Sequence, residues 1–225
     1  MNTNTNKIAL VTGATRGIGL ETVRQLAETG VHVLLAGRNR DKAVEAALQL
    51  QRQGLLVEAI ALDVTDSASI VAAAKEIEQR HGKLDILVNN AGILVDDAEK
   101  GVSGQSLATW RTTFDTNLFG LIETTQALLP LLRKSDAGRI VNVSTVYAER
   151  VGPIPETAYY ASKAGIANVT RAVAAEAGID LEGVEIISVE HSHAAAELAA
   201  GMAARREVEV LMKGSLHTDE LIKAV

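Results

Sequence analysis

The chain has 225 residues, 47% of them hydrophobic, which suffices to bury one substantial core and points to a single α/β domain. Its 22 Lys and Arg stand against 28 Asp and Glu, a net charge of −6 with no basic block, which argues against a nucleic-acid partner. The absence of cysteine excludes a disulfide framework and any thiolate metal site.

A polar leader precedes an apolar run at residues 8–11 that is far too short for a secretory segment or a membrane span. It reads as a buried strand of a cytoplasmic protein with no membrane partner. Further apolar, β-branched runs follow at residues 31–35, 57–62, 86–88, 140–143, 184–189 and 208–212, each separated from the next by a helical pattern. This alternation predicts a Rossmann-like, doubly wound parallel sheet of about seven strands with helices on both faces. A content of only 3% aromatic residues beside abundant Ala, Val, Leu and Ile fits strands covered on both sides. Gly30 and Gly54 mark the ends of the first two helices, and Asp66 or Ser67 opens the third. No repeat or Pro/Ser-rich linker interrupts residues 1–225, so they are expected to form one domain.

The first strand runs straight into Thr12-Gly13-Ala14-Thr15-Arg16-Gly17-Ile18-Gly19 and then a helix. A missing Cβ at Gly13 permits a tight turn, Gly17 lets the backbone approach a pyrophosphate, and Gly19 allows close packing where the helix N-terminus meets the anion. The plainer reading is a merely compact strand-to-helix turn. The second strand ends Leu35-Ala36-Gly37-Arg38-Asn39, without the carboxylate that binds a ribose diol. The planar, permanently charged Arg38, with Arg16 nearby, suits a 2′-phosphate instead, so NADP(H) is expected in preference to NAD(H). Solvated surface arginines are the alternative. After the third strand, Asp63 and Val64 are placed to meet the adenine, although Asp63 serves equally well as a turn residue or cap.

From residue 7 to about 170 the sequence resembles the classical short-chain dehydrogenases/reductases, especially their carbonyl-reductase-like members. The resemblance rests on Thr12-Gly13-x3-Gly17-x-Gly19, Asn89-Asn90-Ala91-Gly92, Asn117 within Thr116-Asn117-Leu118, and Tyr159-x3-Lys163. It implies hydride transfer between a nicotinamide and a small carbonyl or alcohol, and a homo-oligomer, dimer or tetramer, formed through the helices preceding and containing the tyrosine. The expected cofactor contacts are Gly13, Thr15, Arg16, Gly17, Ile18, Gly19, Arg38, Asn39, Asp63, Val64, Asn90, Ala91, Gly92, Tyr159 and Lys163.

Tyr159 and Lys163 lie one helical turn apart on one face, where an ammonium is expected to lower the phenol's pKa toward working pH. Tyr160 points about 100° away. The resemblance gives Tyr159 the acid/base role, Lys163 the tuning of that acid and a hold on the nicotinamide ribose, and Asn117 the support of a proton relay through a bound water. At the end of the fifth strand, Thr145 aligns with the hydroxyl that orients the substrate carbonyl, with Ser144 as the alternate. A hydroxyl bonded to local backbone is the plainer reading of either.

The expected Pro-Gly loop after the sixth strand is absent, and residues from about 171 to 225 resemble part of a phosphate acetyl/butyryltransferase instead. A chimera in which that segment completes the same sheet is one expectation. His191-x-His193 lacks a third evident ligand, so no metal is expected, and Ser192 can cap the helix that follows. The leading expectation is an NADP(H)-dependent oxidoreductase. The alternative is a recombined or engineered scaffold that binds NADP(H) with little or no catalysis, and the last quarter alone suggests a weaker third reading, an acyl-phosphate or CoA-binding fragment.

Overall fold

Successive residues of a strand face opposite sides of its sheet, so a sheet covered on both sides needs strands that are apolar throughout. The computed structural model describes residues 7–148 and 153–176. Within them five such strands, β1 (Ile8–Val11), β2 (His32–Gly37), β3 (Val57–Ala61), β4 (Ile86–Asn89) and β5 (Arg139–Asn142), pair in parallel in the order β3-β2-β1-β4-β5. They alternate with helices α1 (Gly17–Glu28), α2 (Arg40–Gln51), α3 (Ser67–His81), α4 (Leu107–Phe114), α5 (Gly120–Leu132) and α6 (Thr157–Glu176). The strands expected at 184–189 and 208–212 lie outside the described residues.

Ala9, Val11, Val33 and Leu35 pack with Val23 and Ala27 of α1 and with Ala43, Ala46 and Leu50 of α2. Their neighbours Leu10, Leu34, Ala36 and Ile60 pack on the other face with Ile70, Ala73 and Ile77 of α3 and with Leu128, Leu131 and Leu132 of α5. The two layers follow from the pleat. Strand β1 lies between β2 and β4, so the order reverses there and opens a crevice beyond the carboxyl ends of β1 and β4.

Boundaries shift where a backbone group has another partner. Val31 starts no strand because its N–H bonds Leu26 O at the end of α1, while Ala36 and Gly37 extend β2 by pairing with Ile60 and Ala61. At the third helix the choice falls on Asp66, whose side chain accepts from Ala68 N at 3.0 Å; Ser67 is the first helical residue. Gly30 and Gly54 follow α1 and α2 at positive φ, as expected. Between α4 and α5 the helix continues through a π-helical turn over Asp115–Phe119, which the sequence did not announce. Among the described residues, no helix is long and apolar enough to cross a membrane, and no three metal-ligating side chains gather; His191 and His193 lie outside them.

Candidate active site

The crevice floor is built from two backbone segments locked together. Thr12 N donates to Val88 O at 3.0 Å, and its hydroxyl accepts from Asn90 N at 3.1 Å and Ala91 N at 3.0 Å. In return Asn90 Nδ2 donates to Thr12 O at 2.9 Å and Gly13 O at 3.2 Å. The glycines of the turn make this closeness possible. Gly13 has φ +63°, and a Cβ there would stand 2.8 Å from Ala91 Cα; one at Gly19 would stand 2.5 Å from Asn90 Nδ2 and 2.7 Å from Gly13 O. Gly17 differs: its φ is +58°, yet nothing lies within 4 Å of its missing Cβ, so no described side chain covers that backbone. Helix α1 begins there with no acidic residue in its first turn and no side-chain cap, leaving its positive end uncompensated by side chains. Such a cradle fits a dinucleotide pyrophosphate.

Gly37 belongs to the same construction, a role that sequence reasoning missed. A Cβ there would stand 2.5 Å from Thr15 Cγ2, so its absence lets the glycine turn settle against the end of β2. The next residue, Arg38, is exposed, as are Arg16 and Ile18, and neither arginine forms an ion pair among the described residues. Asn39 and Asp63 carry local structure. Asn39 caps α2 by accepting from Lys42 N at 2.9 Å, and one Asp63 oxygen takes both Thr65 N at 2.9 Å and Thr65 Oγ1 at 2.7 Å. Val64 is buried, with its carbonyl where a Cβ at Gly120 would fall.

On the far side of Gly92 stands α6. Lys163 is only 4% exposed, and its Nζ donates to Val143 O at 2.8 Å. That bond explains why β5 stops at Asn142 rather than continuing to Val143: Val143 N still reaches Asn89 O, but its carbonyl turns to the lysine. Burial pulls the Lys163 ammonium down to about 8. A Cβ on Gly92 would lie 3.5 Å from this Nζ and 3.4 Å from Asn117 Oδ1, so the glycine leaves room for both.

Tyr159 lies on the same face of α6, with Lys163 Nζ 5.7 Å from its ring centroid. Its hydroxyl makes no hydrogen bond among the described residues. The expected lowering of its pKa is not what the geometry gives. Burial of the phenol raises it, the charge of Glu156 adds to the rise, and the Lys163 ammonium, directed at the Val143 carbonyl, does not offset them. Tyr160 is structural: its hydroxyl donates to Ile154 O at 3.0 Å and its ring packs 5.0 Å from that of Tyr147.

Beyond β5, Ser144 Oγ donates to Lys163 O at 3.4 Å, whereas Thr145 Oγ1 accepts from Tyr147 N at 3.4 Å and keeps its proton to donate. Asn117, fully buried in the π turn, accepts from Ile93 N at 2.8 Å and donates to Ile93 O at 2.9 Å and Ser162 Oγ at 3.1 Å. It is a brace between the β4 loop and α6. A π turn is the kind of helical irregularity that re-aims one side chain, and here it aims this one. Sequence reasoning missed Ser162, Asp96 and the pair formed by Asn89 with Asn142. Asn89 Nδ2 donates to Asn142 Oδ1 at 2.9 Å and Thr125 Oγ1 at 3.0 Å, and Asn142 passes the chain on to Thr170 at 2.9 Å. The only sequence signal was an asparagine closing each of two apolar strands.

Known proteins share this fold. The short chain dehydrogenase family matches residues 7–206. The 3-oxoacyl-(acyl-carrier-protein) reductase FabG of Staphylococcus aureus is 37% identical over 172 residues, 76% of this chain and 68% of that protein. Among solved structures, a gluconate 5-dehydrogenase from Burkholderia cenocepacia in complex with NADP and tartrate superposes with a TM-score of 0.70 at 32% identity, covering 76% of this chain and 65% of that one. A 7α-hydroxysteroid dehydrogenase complexed with NADH and 7-oxo glycochenodeoxycholic acid gives 0.70 at 31% identity over 76% and 66%. The chain thus spans about two thirds of the length of these proteins. The family match also runs past residue 171, where the resemblance was expected to pass to an acyltransferase, and these relatives lend the chimera no support. By matched length, motif and superposed fold, the chain belongs to the short-chain dehydrogenase family.

Proposed function

We propose that the chain is an NADP(H)-dependent oxidoreductase acting on a small carbonyl or alcohol, as one cytoplasmic domain that assembles into a dimer or tetramer. The observation that carries this reading is the Tyr159 phenol, its hydroxyl without a partner among the described residues, with the buried Lys163 ammonium 5.7 Å from its ring centre and next to Gly92 and Val143, which follow β4 and β5. Gly13, Gly17, Gly19 and Asn90 would hold the pyrophosphate. Arg38, with Arg16 across from it, would hold a 2′-phosphate; both are exposed cations without an ion pair among the described residues, and no carboxylate stands at the end of β2 to repel that phosphate. The relatives bind either nicotinamide form, so the NADP(H) preference rests on these arginines.

A nicotinamide held by these residues would supply the hydride chemistry at the substrate's carbonyl carbon. Tyr159 donates its phenolic proton to the carbonyl oxygen in reduction and takes it back in oxidation. A raised pKa keeps that proton on the phenol through neutral pH, which suits the donor role. Lys163, charged at pH 7 with a pKa of about 8 and bonded to Val143 O, does not lower the phenol's pKa in this geometry; it would stabilise the phenolate only by turning from that carbonyl toward the hydroxyl once cofactor and substrate are bound. Thr145 rather than Ser144 would donate to the same oxygen, a reading supported by the Ser144 proton already being directed at Lys163 O. Asn117 fixes, through Ser162, the turn of α6 that carries the acid and supports its relay.

Replacing Tyr159 by Phe should leave NADPH binding intact and lower NADPH-dependent turnover across a panel of carbonyl substrates by about a hundredfold or more. Retained turnover in that variant refutes the assignment. Binding of NADPH by the wild type with no turnover on any substrate would favour the non-catalytic scaffold.

A further inference from the structure

Helix α6 carries both Tyr159 and Lys163, and it begins at Thr157 after Pro155 and Glu156, where glutamate is a poor N-cap. The capping oxygens come from more than sixty positions away. Asp96, in the loop after β4, accepts from Ala158 N at 2.8 Å through Oδ1 and from Tyr159 N at 3.2 Å through Oδ2. Its carboxylate therefore answers two of the orphaned first-turn donors and places a negative charge at the positive end of the helix.

The segment bearing Asp96 is held on both sides. Three residues earlier, Ile93 is bonded through both its N–H and its carbonyl to Asn117. One residue later, Asp97 is clasped by Gln105, which accepts from Asp97 N at 3.2 Å and donates to Asp97 O at 2.7 Å and Lys100 O at 2.9 Å. The ring closes through α6: Asn117 donates to Ser162 Oγ, and Ser162 Oγ donates to Tyr159 O at 2.7 Å. The backbone of Tyr159 is thus gripped at its N–H by Asp96 and at its carbonyl by Ser162. Between the two anchors of the loop, Leu94 and Val95 stand 50% and 47% exposed.

Resting on the functional reading above, the geometry points to Asp96 as a positioning residue that fixes the Tyr159 peptide and so aims the phenol at the substrate oxygen. Asp96 touches no reacting atom. Its effect is to tie the first turn of the catalytic helix to the loop that leaves the cofactor crevice at Gly92.

The test compares Asp96→Ala, which removes both acceptors, with Asp96→Asn, which is equally uncharged but keeps one acceptor oxygen. In the Ala variant, amide hydrogen exchange at Ala158 and Tyr159 should speed up about five- to tenfold. Its kcat should fall about tenfold or more, with the NADPH dissociation constant within twofold of wild type and kcat partly restored in the Asn variant. The phenol of Tyr159, read at 295 nm as the difference from a Tyr159→Phe background, should titrate at a different pH in the Ala variant and closer to wild type in the Asn variant. Unchanged exchange at both amides overturns the cap. Faster exchange with kcat unchanged, or Ala and Asn variants that shift the phenol equally, overturns the positioning role and leaves only a structural cap or a charge effect. If wild type binds NADPH without turning over any carbonyl, the functional reading fails, and the exchange and phenol titrations still decide the role of Asp96.

Discussion

Gly17 and Gly19 lie two residues apart in one turn, but the structure gives them separable duties that alanine substitution should expose. Gly17 sits at φ +58° with open space where a Cβ would go, so Gly17→Ala incurs only left-handed backbone strain, about 1–2 kcal/mol. In a domain of this size each 1 kcal/mol lowers Tm by roughly 2–4 °C, which predicts a loss of about 2–8 °C. Gly19→Ala instead drives a methyl to 2.5 Å from Asn90 Nδ2, 2.7 Å from Gly13 O and 2.9 Å from Ala14 Cα, two of which are backbone and cannot swing aside. Overpacking of that kind costs about 1–3 kcal/mol. Displacing Asn90 from Thr12 O and Gly13 O adds about 1 kcal/mol for each bond, so the stability loss should be about twice that of Gly17→Ala or more. Cofactor affinity should separate the two in the opposite sense. Strain at residue 17 is the same with and without ligand and cancels from binding, whereas a methyl on this uncovered backbone would crowd an anion resting there and should weaken NADPH by about ten- to a hundredfold. Thermal unfolding and calorimetric titration with NADPH, both on correctly folded protein, measure the two effects. A Gly17→Ala variant that binds NADPH within twofold of wild type would show that the anion does not rest on this backbone, and the cradle would have to be redrawn.

Two further outcomes concern charge. Arg38→Asp should move the ratio of NADPH to NADH affinities toward NADH by about ten- to a hundredfold, the worth of one or two charge-assisted hydrogen bonds. An unchanged ratio would make Arg38 an ordinary surface cation. The second outcome follows from Lys163, whose pKa is about 8 in the fold against 10.5 when exposed. Between those values the unfolded chain holds a proton that the fold has shed, so the lysine's contribution to stability rises with pH across that interval and is flat below it. The full span is on the order of 3 kcal/mol. Tyr160, pushed up to about 12 by burial, opposes the trend only above its ordinary value of 10.0. Denaturant unfolding of wild type and Lys163→Met between about pH 7.5 and 9.5 should therefore show wild type gaining on the variant as pH rises, and parallel curves would mean that the ammonium is better solvated than its burial implies.

What was legible in the chain was what local periodicity and spacing encode. Residues 8–11 announce β1 because both faces of a central parallel strand are apolar, and Tyr159 and Lys163 announce a common helix face because four residues span about one turn. The glycine turn could be read because each of its glycines answers a backbone requirement within a few residues. What stayed hidden depends on partners distant along the chain. Nothing near Glu156 says that Asp96 will cap α6, nothing near Asn89 says that Asn142 will be its neighbour in the sheet, and a π turn at Asp115–Phe119 leaves no periodic trace in the sequence. The same limit governs Asn39 and Asp63. Each was expected beside the cofactor, and in the structure its side-chain oxygen accepts from a nearby amide, Lys42 N for Asn39 and Thr65 N for Asp63.

The phenol shows why spacing alone misjudges electrostatics. A lysine one turn away from a tyrosine lowers the phenol's pKa only if its ammonium faces the hydroxyl and stays hydrated enough to remain charged. Here Lys163 Nζ is bonded to Val143 O and lies 5.7 Å from the centre of the Tyr159 ring, while burial acts on both groups, raising the phenol and lowering the ammonium. The two values are thereby driven apart, the phenol above 10.0 and the ammonium down to about 8, so near neutral pH both groups keep their protons. On the proposed function, a donor that keeps its proton at neutral pH is better suited to protonating a carbonyl oxygen than a phenol already ionised would be. On this account, burial of the Tyr159–Lys163 pair is part of the chemistry, and the anchors that set its depth, Val143 O, Ser162 and Asp96, belong with the site as much as the two side chains themselves.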